Sequence, residues 1–339
     1  MEKPDWGKMA FAYTKTKYNA RCYYKNGQWG NVEYTDSEYI NLHMASTCLH
    51  YGQEIFEGLK AYKGKDNKIR LFRWEENAKR MNDSAFGILM PQVPDEIFKE
   101  AVFNTVRKNI EFVPSYGYGA TMYIRPLYLG LGPEVGVKPA KEYMFMVFVT
   151  PVGPYFRDGF TPVDIMICRE YDRAAPLGTG SFKVGGNYAA SLRSLKKAHD
   201  SGFSTSLYLD PKEKKYIDEA GPANFFAIKG NTYITPDSKS ILPSITNMSL
   251  MGLAADEGMK VERRPVPVDE LSEFDEVGAC GTAAVITPIR KIVDPQTNEI
   301  YEYCSGNEVG PVCKKLYHKL TDIQTGDLPD KFGWVSLVE

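Results

Sequence analysis

No two cysteines in this chain have metal-ligand or C-x-x-C spacing: the six stand at 22, 48, 168, 280, 304 and 313. At 339 residues the chain is far too large to need disulfide staples, so reduced and mostly buried thiols are expected. Nowhere do eighteen apolar residues run together, and the opening MEKPDWGKM carries Asp5 and no apolar run, which reads against a membrane span and a signal peptide. Neither sign of charge is in excess. With 41 basic against 43 acidic side chains the formal net charge is -2, and no tail or face has the character of a nucleic-acid footprint. The expected partner is a small molecule rather than nucleic acid or membrane, and the expected compartment is the cytoplasm. What the chain does have is 43% hydrophobic residues and length for two ordinary domains or one large one, enough for a substantial core.

The stretch PLGTGSFKVGGNYAASLRSLKK, residues 176–197, is glycine-rich in its first half and helix-forming in its second, with Lys183 at the join. Val184, Gly185 and Gly186 leave little bulk around that lysine, so a planar ligand can approach its ammonium closely. Read alone, the stretch is also a flexible glycine loop with an ordinary surface lysine. Just before it, residues 169–180 are polar, turn-rich and without periodicity, and read as a linker between a domain over 1–168 and another over 181–339. That sets Lys183 beside the cleft, where small-molecule sites tend to lie.

Elsewhere the pattern alternates short strands with helices. Residues 1–30 show little periodicity and are expected to wrap the surface, with a hairpin at Asn26-Gly27. Within 45–64 a helix and then a strand over Leu59–Tyr62 are expected, around an unusually polar set that includes His50, Tyr51, Gln53, Glu54 and Glu57. Helices are expected over Trp74–Ile88, with Asn77, Arg80 and Ser84 along one face beside the apolar seam, and over Asp95–Asn109, with Ile97, Ala101, Val102, Val106 and Ile110 buried. Arg80 reads most simply as snorkelling out of a packed helix. Strands fit Ile69–Phe72, Thr121–Leu129 (its alternation broken at Arg125-Pro126), Tyr143–Thr150, Val163–Cys168 and Thr205–Leu209. A helix over Asn187–Ser201 should face Ala190, Leu192, Leu195 and Ala198 inward.

Three further stretches bear on chemistry. Glu219, in DEAGPANFF, either caps a turn or points toward Lys183. In ILPSIT an extended run leads into a helix, whose open amides and hydroxyls suit an anion; the plainer reading is a Thr246 N-cap. Gly281 and Thr282 form a tight turn between apolar segments.

In order and spacing, HYGQEIFEGLKAY, RMNDSA, YIRPL, PVGPYF, KVGGNYAASL, DEAGPANFF, ILPSIT, GTAAVITP and DKFGWV resemble the branched-chain amino-acid aminotransferases, pyridoxal-phosphate enzymes of fold type IV. The resemblance spans nearly the whole chain. It implies an α/β (α+β) fold with a small N-terminal α/β domain and a larger, barrel-like C-terminal α/β domain, assembled as a homodimer or dimer of dimers. It also implies ping-pong transfer of the amino group of L-leucine, L-isoleucine and L-valine to 2-oxoglutarate, with pyridoxal 5'-phosphate as cofactor and no metal.

By the same match Lys183 is the covalent anchor and acid/base, Tyr188 bonds the cofactor phenolate, and Glu219 faces the pyridine nitrogen. Arg80, the amides of Ile245 and Thr246, and the hydroxyls of Thr246 and Thr282 hold the phosphate. The substrate falls to Tyr51, Phe56, Tyr123, Arg125, Tyr155, Thr282 and Ala283. There are two departures. Pro222 stands where some relatives place a threonine near the glutamate, and Ala284 and Thr287 replace the C-x-x-C pair of animal relatives, which excludes redox control through that pair. The sister activities on the fold are D-amino-acid aminotransferase and aminodeoxychorismate lyase, and the different-class alternative is a binding protein that kept the fold without the chemistry.

Overall fold

A computed structural model of the chain describes residues 5–153 and 160–338. It divides into two compact units. The first comprises Met1–Arg157, Phe182–Gly185 and Asp322–Glu339; the second comprises Asp158–Ser181 and Gly186–Thr321.

In the first unit an antiparallel sheet contains β1 (Asn19–Lys25), β2 (Gln28–Trp29), β3 (Glu33–Thr35), β4 (Glu54–Phe56), β5 (Leu59–Lys63), β6 (Ile69–Phe72), β7 (Thr121–Gly130), β8 (Tyr143–Val152) and the C-terminal strand Val335–Val338. The Asn26-Gly27 turn closes a hairpin in which Lys25 faces Gln28. The strand that follows residue 18 does not wrap the surface as expected. It pairs with β8 in the body of the sheet, because Ala20 and Cys22 alternate inward and are fully buried.

A short helix α1 (Thr47–His50) precedes β4, and α2 (Trp74–Gly87) and α3 (Asp95–Lys108) pack their apolar stripes on one sheet face. Met81, Ala85, Val102 and Val106 meet Met122, Ile124 and Phe145 there. Ile110 falls beyond the end of α3 and is 54% exposed, so it is no part of that stripe.

β7 runs straight through Pro126, and the proline marks a gap in its neighbour. β5 pairs with residues 122–124 and β4 with 127–129, so the missing N–H lies where no ladder partner is needed. Glu57 and Gly58 occupy the gap, and the Glu57 N–H donates to the Pro126 carbonyl (2.8 Å).

The second unit holds α4 (Gly185–Ala190), whose first residue belongs to the first unit, α5 (Leu192–Asp200), α6 (Ile245–Asp256) and most of α7 (Pro311–Thr325). Its strands are β9 (Val163–Cys168), β10 (Thr205–Leu209), β11 (Ile217–Ala220), β12 (Ala223–Lys229), β13 (Thr232–Pro236), β14 (Lys260–Arg264), β15 (Glu276–Gly281), β16 (Val285–Asp294) and β17 (Glu299–Glu302). The order β11-β10-β9-β16-β15-β12, with β12 pairing back to β11, closes a six-stranded barrel. Ile165, Leu207, Ile217, Phe225, Val277 and Ile289 belong to its apolar core.

The helix expected over Asn187–Ser201 is two pieces broken at Ser191. Leu192 is 61% exposed and Ala190 is exposed, while Ser194 and Ala198 take the buried positions. Cys22, Cys168, Cys280 and Cys313 are buried free thiols, and Cys48 and Cys304 are half-buried free thiols. Among the described residues no helix is long and apolar enough to cross a membrane.

Candidate active site

Lys183 is held through its backbone by the first unit. Val184 bridges Ile55 of β4, the Phe56 N–H donates to the Lys183 carbonyl (3.1 Å), and the Lys183 N–H donates to Ser84 Oγ on α2 (2.9 Å). A side chain at Gly185, two residues after the lysine, would meet the Glu54 carboxylate and oblige it to turn aside. These bonds are why residues 182–185 group with the first unit, whereas the sequence boundary placed Lys183 with the C-terminal domain.

The lysine amine lies over the Phe56 ring, 4.8 Å from its centroid. Burial, then the charges of Arg80 and Arg125, lower its pKa, while Glu57 and Tyr123 raise it; the balance is about 8. Arg80 is buried on α2 and does not snorkel. Its Nε and NH2 donate to the two oxygens of Glu57 (2.7 and 2.8 Å), and Asn77 Nδ2 adds a third bond (2.7 Å). Burial pushes the Glu57 carboxyl up, but Arg80, Lys183 and Asn77 outweigh it and hold it below the ordinary carboxylate range. Glu57 is ionised.

Alternation on β7 puts Tyr123 and Arg125 on the sheet face away from the helices. Arg125 lies over Phe56 (4.8 Å) and Tyr123 (5.1 Å), and its NH2 donates to the Tyr123 hydroxyl (3.1 Å). Its Nε is buried with no acceptor. Lys60, opposite Tyr123 across the ladder, is a buried lysine, and burial lowers it to about 8. Tyr51 is turned outward: it is 41% exposed, stacks on His50 and donates its hydroxyl to the Val135 carbonyl.

In the second unit Glu219 does not cap the turn it precedes. It is a buried residue of β11, directly opposite Asn224 of β12 across the Gly221-Pro222 turn. Gly221 takes a φ of 59°, which suits the first central position of such a two-residue loop. Asn224 Nδ2 (2.8 Å) and the Leu242 N–H (3.0 Å) donate to Oε1. Arg173 Nε lies 2.7 Å from Oε2 without its N–H aimed along the contact. The carboxylate is thus served without a hydroxyl at position 222.

Asn224 also accepts from Asn247 on α6 (3.3 Å), which in turn bonds Thr235 and Tyr233. This ties Glu219 to the start of α6. The N-cap there is Ser244, which accepts from the Asn247 N–H (3.3 Å); Thr246 lies two residues too late to cap. Ile245 and Thr246 are buried in the first turn, where N–H groups precede the first helical bond. Thr282 and Ala283 occupy the β15–β16 turn, and Tyr188 is half-buried on α4.

The family described as amino-transferase class IV matches residues 54–292. A branched-chain-amino-acid aminotransferase of Haemophilus influenzae is 47% identical over 100% of both chains. The chain belongs to the class IV aminotransferases. Within them it falls in the branched-chain-amino-acid group, whose fold it shares. The crystal structure of the Escherichia coli branched-chain amino acid aminotransferase superposes with a TM-score of 0.81 at 31% identity, covering 96% of this chain and 100% of that one. The T.th. branched-chain amino acid aminotransferase complexed with N-(5'-phosphopyridoxyl)-L-glutamate gives 0.78 at 27% identity, with 96% and 99% coverage.

Of the residues singled out in the sequence, Lys183, Arg80, Phe56, Tyr123 and Arg125 come together in the first unit, and Glu219 is tied to the start of α6 in the second. Tyr155 lies outside the described residues. Glu57, Arg173 and Asn224 were missed as site residues. For Asn224 the signal was an amide inside the otherwise apolar strand ANFFAIK; for Arg173, in an irregular segment, there was none.

Proposed function

We propose that this aminotransferase moves the amino group of L-leucine, L-isoleucine and L-valine to 2-oxoglutarate, with pyridoxal 5'-phosphate anchored on Lys183. The observation that carries the reading is the Lys183 amine, fixed through its backbone and lowered to about 8, near enough to neutrality to act as nucleophile and base. The residues fit the cofactor. The first turn of α6 offers amides to its phosphate, and the acceptorless Nε of Arg125 suits an anionic group of the substrate. The T.th. aminotransferase complexed with phosphopyridoxyl-glutamate supports both the cofactor and glutamate as partner.

When bound, the cofactor supplies a carbonyl for the amino group and a ring that withdraws electrons from the α-carbon. Lys183 Nζ takes the α-proton and returns it to the carbon on the far side of the transferred nitrogen. Glu219, charged and fixed by Asn224 and Leu242, keeps the ring nitrogen protonated, and Tyr188 donates to the phenolate oxygen. Arg80, the amides of Ile245 and Thr246, and the hydroxyls of Thr246 and Thr282 hold the phosphate. Phe56 and Tyr123 wall the side chain, Arg125 receives the distal carboxylate of glutamate, and the turn amides at Thr282 and Ala283 take the α-carboxylate.

A homodimer completes the reading. Met44 (89% exposed), Val135 (80%) and Val137 (89%) form a bare apolar surface on the first unit, where the Glu134 N–H donates to Ala45 O and joins the two segments.

Borohydride reduction followed by peptide mapping should place the pyridoxyl group on Lys183 and not on Lys60, and Lys183→Ala should retain some cofactor but lose transamination by several orders of magnitude. Labelling elsewhere, or near-native turnover in Lys183→Ala, overturns the assignment. Steady-state kcat/KM with 2-oxoglutarate should favour the three branched L-amino acids over L-aspartate and D-alanine. A higher value for D-alanine than for all three would turn the reading to the D-amino-acid activity.

A further inference from the structure

Glu57 has no solvent exposure, yet it is charged, in the gap between β4 and β5. Its oxygens accept from Arg80 Nε and NH2, from Asn77 Nδ2 and from the Gly58 N–H (3.1 Å). A buried ion pair of this kind is weak evidence for stability, since apolar residues of equal volume commonly serve a fold as well or better. Its place is informative, because the same carboxylate bonds the α2 arginine and follows directly on Phe56, the ring over which the Lys183 amine lies. Asn77 and Arg80 lie one turn apart on α2, and Ser84, a turn further on, binds the Lys183 N–H. One helix face therefore addresses both the acid and the lysine.

We propose that Glu57 is a positioning residue for amino transfer: it holds the Arg80 guanidinium in one orientation and stands as the counter-charge that keeps Arg80 from acting unopposed on the Lys183 amine. This rests on the reading above, in which Lys183 anchors the cofactor and Arg80 binds its phosphate. The groups facing the amine are Arg80 from α2, Phe56 and Glu57 from the end of β4 and the gap after it, and Tyr123 and Arg125 from β7. Both arginines and burial favour the neutral amine; Glu57 and Tyr123 favour the ammonium. Loss of the Glu57 charge leaves Tyr123 as the one counterweight in that set and weakens the two-bond fork that Arg80 makes with Glu57.

The test follows pyridoxal phosphate capture by the full-length chain stripped of cofactor, read as recovery of visible absorbance against pH. In the wild type the capture rate should rise with pH about a midpoint near 8. Glu57→Gln should move that midpoint down by about one pH unit and weaken cofactor retention by about tenfold. An unshifted midpoint overturns the inference. Because Glu57→Gln strands a buried cation and can fail to fold, Glu57→Gln/Arg80→Gln decides in that event. With both charges gone its midpoint should stay within a few tenths of the wild type while retention remains weak. A midpoint raised by about one unit would mean that Arg80 had been acting unopposed, and overturns the inference. Borohydride labelling of the wild type separates the two levels: a label away from Lys183 sinks the underlying reading and this inference with it, whereas a label on Lys183 with no midpoint shift sinks the inference alone.

Discussion

The two units each contain a buried arginine–glutamate pair, and they are built in opposite ways. In the first the arginine rides on a regular element, α2, while Glu57 comes from a gap between strands. In the second the acid rides on the regular element, β11, while Arg173 comes from an irregular segment and is steadied by the carbonyls of Gly180 and Ser240. Each time, the partner proposed to face the cofactor, Arg80 or Glu219, is the one on the helix or strand, and a loop brings the counter-ion. The geometry of the pairs differs accordingly. Arg80 grips both oxygens of Glu57 side-on, whereas Glu219 holds one oxygen toward Asn224 and Leu242 and turns the other to Arg173 Nε in an unaligned contact. A two-bond fork fixes an orientation; an ion pair with separate donors fixes a charge.

The largest expected effect comes from neutralising the second pair. Glu219→Gln should lower kcat on the order of a hundredfold for every amino acid alike while the protein still retains its cofactor. If retention collapsed and turnover per bound cofactor stayed normal, the two carboxylates would be doing the same work and the contrast would fail. Next in size is Arg80→Lys, which keeps the charge and loses the fork. Pyridoxal phosphate should then dissociate about tenfold more readily, by equilibrium dialysis, with substrate preference unmoved. An affinity equal to wild type would show that charge alone matters there too.

The smallest effect concerns burial alone as a cause of a shifted lysine. Lys60 is lowered to about 8 by burial, against about 10.4 for a free lysine. The folded chain therefore gives up that proton earlier than the unfolded one, so the Lys60 contribution to stability grows as pH rises above 8 and is lost as pH falls back through it. Relative to Lys60→Met, the wild type should gain about 1 kcal/mol between pH 7 and 9 in denaturant titrations. A difference that does not change with pH would place the Lys60 amine in a wetter setting than its burial implies.

What could be read from the sequence follows the range of the interactions. The face Asn77, Arg80 and Ser84 was legible because helical periodicity alone aligns residues three and four apart. The break at Arg125-Pro126 was visible as well, but not its purpose, since the gap it marks lies in a different strand and the acid it admits meets an arginine 23 residues further on. Glu219 stood out by its motif, yet its place inside a strand, opposite Asn224, depends on the register set by the Gly221-Pro222 turn. Arg173 was beyond reach: nothing in REYDRAAPLGTG says which of its charges turns inward. The error over Leu192 has the same origin, since a break at Ser191 rotates the second piece of helix against the first and resets which residues face in.

The clamp on the Lys183 backbone also bears on entropy. Its N–H and its C=O are both tied to neighbouring elements, so the freedom of the main chain at this residue is surrendered when the protein folds and not at each turnover. What still moves is the four-carbon stem. An amine on a short flexible arm with an immobile root searches a small arc, and a proton carried along that arc meets its target at an effective concentration far above that of a free amine in solution.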